Sequence, residues 1–198
     1  MFPPRRPVDL AGGRDGEWAS RLERWAAEAR VDVAAEARSR EQWLRRQAEE
    51  EGTLAGVLAD LADAGVAVRL HLRAGGPFAG RIRAVGADLV AVVGDGAPGS
   101  VAVVALDAIC SVRTGPAVRP VTGDRAGPSP TMRLADVLVG LAAEREPVRV
   151  VTVDGEAVAG VVRAVGQDVV TLRAGAGGGA AATAYVAVAA VAAVVVGE

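Results

Sequence analysis

Two stretches of this chain are nearly the same sequence written twice. Val68-Arg69, Gly80, Arg83-Ala84-Val85-Gly86 and Asp88-Leu89-Val90 recur as Val148-Arg149, Gly160, Arg163-Ala164-Val165-Gly166 and Asp168-Val169-Val170, at a constant spacing of 80 residues without insertion or deletion. Self-similarity at fixed spacing marks a duplicated folding unit, whose limits lie where the match begins and fails. It begins at Leu54/Leu134 and continues through Leu58/Leu138 and Leu61/Leu141. Near its end the spacing becomes 82, pairing Leu106, Ile109 and Val112 with Val188, Val191 and Val194. Whatever one copy folds into, the other must be able to fold into as well.

Within each copy the apolar period changes from helical to extended. Thr53 can cap a short helix carrying Leu54, Val57, Leu58 and Leu61, ending near Gly65. Ser129-Pro130 plays the same opening part for Leu134, Val137, Leu138 and Leu141. Alternation follows: Val68, Leu70 and Leu72 on one side of a strand, Arg69, His71 and Arg73 on the other, then a Gly75-Gly76-Pro77 turn and a returning strand from Phe78 to Val85. Three more short strands, 89–93, 101–106 and 109–112, complete a unit of one helix and five antiparallel strands. Ahead of the repeats, Trp18, Leu22, Trp25 and Ala29 fall on one face of a charged helix, expected to be anchored by its tryptophans and to break or pack closely between residues 31 and 39. The chain thus divides into a Pro/Gly-rich tail expected to be disordered (1–15), an amphipathic helical segment (16–52), the first repeat (53–113), a Pro/Gly-rich extended linker (114–130) and the second repeat (131–198).

Composition limits the partners. Arginine supplies all 22 basic residues against 24 acidic ones, giving a net charge of −2, and both signs are spread evenly, so no segment is a polycationic tail that binds nucleic acid by charge alone. The absence of lysine and asparagine, with Ala, Gly and Val dominant, points to a high-GC bacterial genome. Cys110 is the one cysteine, which rules out an intramolecular disulfide or a multi-cysteine metal site. The start, Met1-Phe2-Pro3-Pro4-Arg5-Arg6-Pro7, lacks the apolar stretch of a signal peptide, and the expected localisation is cytoplasmic. Residues 174–197 carry no charge, but a glycine run followed by Ala/Val alternation reads as strands rather than as a spanning helix.

The motif Phe78-x-Gly80-x-Ile82-x-x-Val85, repeated as Val158-x-Gly160-x-Val162-x-x-Val165, resembles the first Sm motif of the Sm-like superfamily, which includes the LSm and bacterial Hfq proteins. The whole resembles a tandem duplication of that unit in an Arg/Ala/Val-rich, actinobacterial-type protein. The resemblance implies a mainly β chain with a helical N-terminal arm and two tandem Sm-like or SH3-like five-stranded antiparallel barrels, each preceded by a short helix. It also implies association through the fourth and fifth strands. The chain departs from the family at Gly86 and Gly166, where an aspartate is usual, and at Val104-Ala105-Leu106 and Val186-Ala187-Val188, where Hfq carries Tyr-Lys-His. The family's RNA-reading residues are therefore not carried over.

Two surfaces stand out. Arg69, His71, Arg73, Arg81 and Arg83 alternate on adjacent strands and so share a face, a candidate for binding phosphate or RNA. Phe78 and Tyr185 are the only aromatics of the repeats, which weakens single-strand stacking, and a solvated face is the plainer reading. In the second repeat Val151, Val153 and Val161 replace His71, Arg73 and Arg81, an apolar strip that needs cover; with Tyr185, Val186 and Val188 it forms the candidate protein interface. Asp88 and Asp168 read as turn residues, and the glycines at 175–179 as a loop, because no Lys-Ser/Thr opens a helix after them. No catalytic, metal or cofactor-binding set is legible. The expected role is a non-catalytic assembly protein binding itself or another protein, with RNA as the less favoured partner and no membrane or small-molecule substrate.

Overall fold

The computed structural model describes residues 14–95, 99–124, 131–175 and 182–197. The N-terminal tail, the Ser129-Pro130 helix opening and residues 176–179 of the glycine run lie wholly or almost wholly outside them. The chain divides into two compact units, Met1–Gln47 and Ala48–Glu198. The described residues of the first belong to helix α1 (Arg14–Glu51), which runs unbroken through the alanine-rich stretch where a break or close packing was expected. Alanine is the best helix former, so weak amphipathicity there does not interrupt the backbone. Trp18, Trp25 and Trp43, expected to be buried as anchors, are 54%, 56% and 62% exposed.

The second unit holds the repeats. The first consists of α2 (Leu54–Asp63), β1 (Ala67–Leu72), β2 (Phe78–Val85), β3 (Leu89–Gly94), β4 (Val101–Ala105), a 3-10 turn and β5 (Ile109–Thr114). The second consists of α3 (Leu134–Glu144), β6 (Pro147–Thr152), β7 (Ala157–Val165), β8 (Val169–Ala174), β9 (Ala182–Ala187), another 3-10 turn and β10 (Val191–Val196). Thr53 caps α2 as its position predicts, its hydroxyl accepting from the Gly56 amide at 3.0 Å. The uncharged C-terminal stretch is β9, the turn and β10. No described helix is long and apolar enough to cross a membrane.

The repeats do not close into two barrels. All ten strands join in one antiparallel sheet ordered β5-β1-β2-β3-β4-β10-β6-β7-β8-β9, which corrects the expected architecture. The reason lies at β4 and β10. Val101 to Val104 pair with Val196 to Ala193, so the fourth strand of one repeat is completed by the fifth strand of the other. Both strands are apolar on both faces, as strands covered on both sides are. Val103 and Ala105 point into a core built with Leu134, Leu138, Val150, Val162 and Leu172 of the second repeat. Reciprocally, Val151, Ala193 and Val195 point into the core of Leu58, Leu61, Leu70, Ile82 and Val92 in the first. Each repeat thus lends side chains to the other's interior.

Two glycines set the bend of the second strand in each copy. A Cβ on Gly80 would lie 2.0 Å from the Val93 carbonyl oxygen, and one on Gly160 would lie 2.3 Å from that of Arg173. Only glycine permits such close backbone approach. Two residues further on, the register shifts between Ile82 and Ala84, and likewise between Val162 and Ala164, a bulge of the kind that bends a strand.

Candidate functional site

The arginine face of the first repeat is partly assembled. Arg81 lies opposite Ala67 on β1, so the pleat puts it on the side of Arg69 and His71, and Arg69, Arg81 and Arg83 are exposed. Their duties differ, however. The Arg81 guanidinium donates to the Gly65 carbonyl at the end of α2, a brace on the negative end of the helix dipole. Arg83 occupies the bulge. Arg73 lies beyond β1 in a bend, its amide donating to the Ala108 carbonyl at 3.0 Å. His71 is half-buried, and its Nε2 is buried without a hydrogen-bond partner.

A second basic surface escaped the sequence reading. Arg145, Arg149, Arg163 and Arg173 line an open groove of about 990 Å³ between the end of α3 and strands β6, β7 and β8. Arg149 and Arg163 repeat Arg69 and Arg83, whereas Arg173 replaces Val93 and Arg145 replaces Gly65. The alternation of β8 held the signal for Arg173. Arg145 carries a cost: it has φ of 57°, the left-handed conformation that Gly65 adopts at φ of 62° in the first repeat. A side chain in that region costs about 1 kcal/mol that glycine does not pay.

The valines expected to need cover meet different fates. Val151 is 6% exposed, in the shared core beneath the β1–β2 turn, where a Cβ on Gly75 would lie 3.4 Å from it. Val161 is half-buried on the groove wall, and Val153 is 38% exposed. Val186 is buried in the second core, Val188 is half-buried, and Tyr185 stands 73% exposed on β9. Of the uncharged stretch Tyr185–Val196, expected to form an edge, only the part in β9 lies at one, because β10 is enclosed between β4 and β6.

Among the described residues the strand order leaves two open edges, β5 and β9. The Val188 amide donates to the Asp168 carbonyl at 2.8 Å, and this bond sets the phase of the β8–β9 ladder. Hydrogen-bonded pairs alternate along an antiparallel ladder, so Thr183, Tyr185 and Ala187 turn their N–H and C=O groups away from β8 to the open side.

Asp88 and Asp168 sit at the β2–β3 and β7–β8 corners, and the Asp88 side chain holds backbone of the other repeat rather than of its own turn. Its Oδ1 accepts from the Leu134 amide at 2.8 Å, satisfying a free donor in the first turn of α3. In the β6–β7 turn the Thr152 hydroxyl donates to Asp154. That bond, with a further one from the Glu156 amide, holds the Asp154 carboxyl below the usual carboxylate range. Among the described residues no group of three or more His, Cys, Asp or Glu side chains could hold a metal ion. No protein-family model, curated protein or solved structure matches the chain.

Proposed function

We propose that this chain is a non-catalytic assembly protein that associates with its own copies through the edges of its sheet. The observation that carries the reading is β9. It is uncharged, flat in sequence as Ala-Thr-Ala-Tyr-Val-Ala, and it presents three residues' worth of unsatisfied backbone beside an exposed tyrosine. An edge of that kind, without the charge, proline or bulge that would blunt it, pairs with another strand unless it is covered. Buried Val186 and half-buried Ala184 keep it fixed on the core, so the edge is presented in a rigid form. The resemblance of the Gly80 and Gly160 motifs to the Sm-like superfamily lends support, since those proteins act as assemblies. The test is the mass of the purified full chain in solution across a dilution series. Association into species larger than one chain at micromolar concentration is expected, and a monomer up to about 100 μM, well above the working range of specific interfaces, would remove the reading.

A second reading, polyanion binding, is favoured by Arg145. A strained arginine retained where the sister repeat uses glycine, beside three further guanidiniums in one groove, fits phosphate recognition. On this reading the groove of the second repeat is the better site than the Arg69/Arg83 face. Titration with mixed-sequence RNA at two salt concentrations tests it: four contacts would give a slope of log K on log salt of about −3 for a single strand. Absence of salt-sensitive binding in Arg145→Ser/Arg163→Ser relative to the parent supports the site, and equal binding by both chains removes it.

A further inference from the structure

We infer that successive chains join head to tail through a copy of the joint that unites the two repeats within one chain, β9 of one molecule pairing with β5 of the next. This joint presupposes self-association, the reading proposed above, and gives it a surface and a polarity.

The two open edges are the sequence equivalents of the two joined strands. β9 corresponds to β4, and β5 to β10. The internal register, Val103 opposite Val194 and Ala102 opposite Val195, translates into Tyr185 opposite Val112 and Ala184 opposite Arg113 of the neighbouring chain. The backbone phase agrees. The Leu106 amide bonds the Asp88 carbonyl as Val188 bonds Asp168, so Val103 turns its N–H and C=O to β10 just as Tyr185 turns its own to the open side.

Residues that the internal joint covers are uncovered at its external equivalents. Leu134 is 5% exposed, its amide held by Asp88, whereas Leu54 is 39% exposed. Val103 is 6% exposed, whereas Tyr185 is 73% exposed. Asp168, the counterpart of Asp88, stands where it would meet the first turn of a neighbour's α2. Val151, 6% exposed beneath the Gly75 turn, corresponds to His71, which is half-buried.

The substitutions between the repeats are complementary across the external joint. Internally, the β1–β2 turn meets the β6–β7 turn: a Cβ on Gly155 would lie 3.3 Å from the Ala74 Cβ. Externally, the β6–β7 turn of one chain meets the β1–β2 turn of the next, and Ala74 is replaced there by Asp154 while Val151 and Val153 are replaced by His71 and Arg73. An apolar contact becomes one between a carboxylate and two basic side chains. That change suits an interface that must stay soluble before it forms, and its polarity disfavours β9 pairing with β9.

Proline substitution at the two edges tests the joint. Tyr185→Pro removes an outward N–H from β9, and Val112→Pro removes its counterpart from β5, each leaving the other edge intact. Each variant alone is expected to run as a monomer. An equimolar mixture is expected to give a dimer, doubling the mass, and nothing larger, because only one good edge remains on each chain. Self-association of Val112→Pro alone, or loss of association in neither variant, would overturn the joint while leaving self-association standing; a monomeric parent would remove both. Should a proline variant fail to fold, Cys110→Ser chains bearing Ala184→Cys or Arg113→Cys supply the second measurement. The mixture is expected to form a disulfide-linked heterodimer, and association without that cross-link would overturn the register.

Discussion

Asp88 and Arg145 are two residues whose importance lies in comparison with their counterparts. Asp88 satisfies the Leu134 amide at the start of α3, a helix that belongs to the other repeat, whereas no described α-helix follows Asp168 to take the same contact. Asp88→Ala is therefore expected to destabilise the chain by about 1 kcal/mol, the usual cost of losing a helix-terminal acceptor. Asp168→Ala is expected to change stability by no more than about 0.5 kcal/mol when measured on dilute chain. Urea unfolding of the two variants checks the contrast, and equal effects would mean that the bond across the repeats contributes nothing. Arg145 makes the opposite prediction. Replacing it with the glycine of the first repeat relieves a φ of 57°, so Arg145→Gly is expected to stabilise the fold by about 1 kcal/mol. It would do so while weakening any anion affinity of the groove, a trade typical of strain kept at a functional site. A variant both less stable and unaltered in anion binding would refute that account.

At the scale of the element, the strands were legible and their neighbours were not. The alternation of Val68, Leu70 and Leu72 and the turn at Gly75-Gly76-Pro77 gave β1 and β2, and the shift of spacing from 80 to 82 falls in the chain between β8 and β9, where the second copy is longer by two residues. Period and turn chemistry are local, and local signals can be read from sequence. Pairing between β4 and β10 is not local. Its one trace was that Val101-Ala102-Val103-Val104 and Val191-Ala192-Ala193-Val194-Val195-Val196 are apolar at every position, which a half-exposed strand would not be. The same gap affected the valines. Sequence marked Val151, Val153 and Val161 as one strip, but the strand ends at Thr152 and the chain turns, so Val151 is buried in the first repeat's core and Val153 is not. Val151→Arg should consequently cost about 3 kcal/mol, the scale of burying a charge without a partner, while Val153→Arg stays within about 0.5 kcal/mol. Thermal melting of the pair checks this, and a shift larger for Val153→Arg would reverse the assignment.

At the scale of the whole second unit, Ala48–Glu198, duplication did not produce two independent domains. A module of about 60 residues buries too little of its surface to be comfortably stable alone, and sharing side chains across β4 and β10 relieves that shortage. Leu89, Val103 and Ala105 complete the second core and Val151, Ala193 and Val195 complete the first, so each core is built partly from the other repeat. Because the contacts between repeats are the same kind as the contacts within them, opening one repeat exposes the apolar face of its neighbour. The two are expected to unfold as one cooperative unit. Native-state hydrogen exchange measures this directly, since amides report the free energy of the smallest opening that frees them. The slowest amides of β1 and β2, far from the joint on one side, and of β7 and β8, far from it on the other, should exchange with the same free energy and the same denaturant dependence. Val194→Asp, placed in the joint itself where the parent residue is 0% exposed, should lower both sets together. Two distinct exchange free energies, or a variant that loosens only the second repeat, would mean that the repeats are stable separately and merely adjacent.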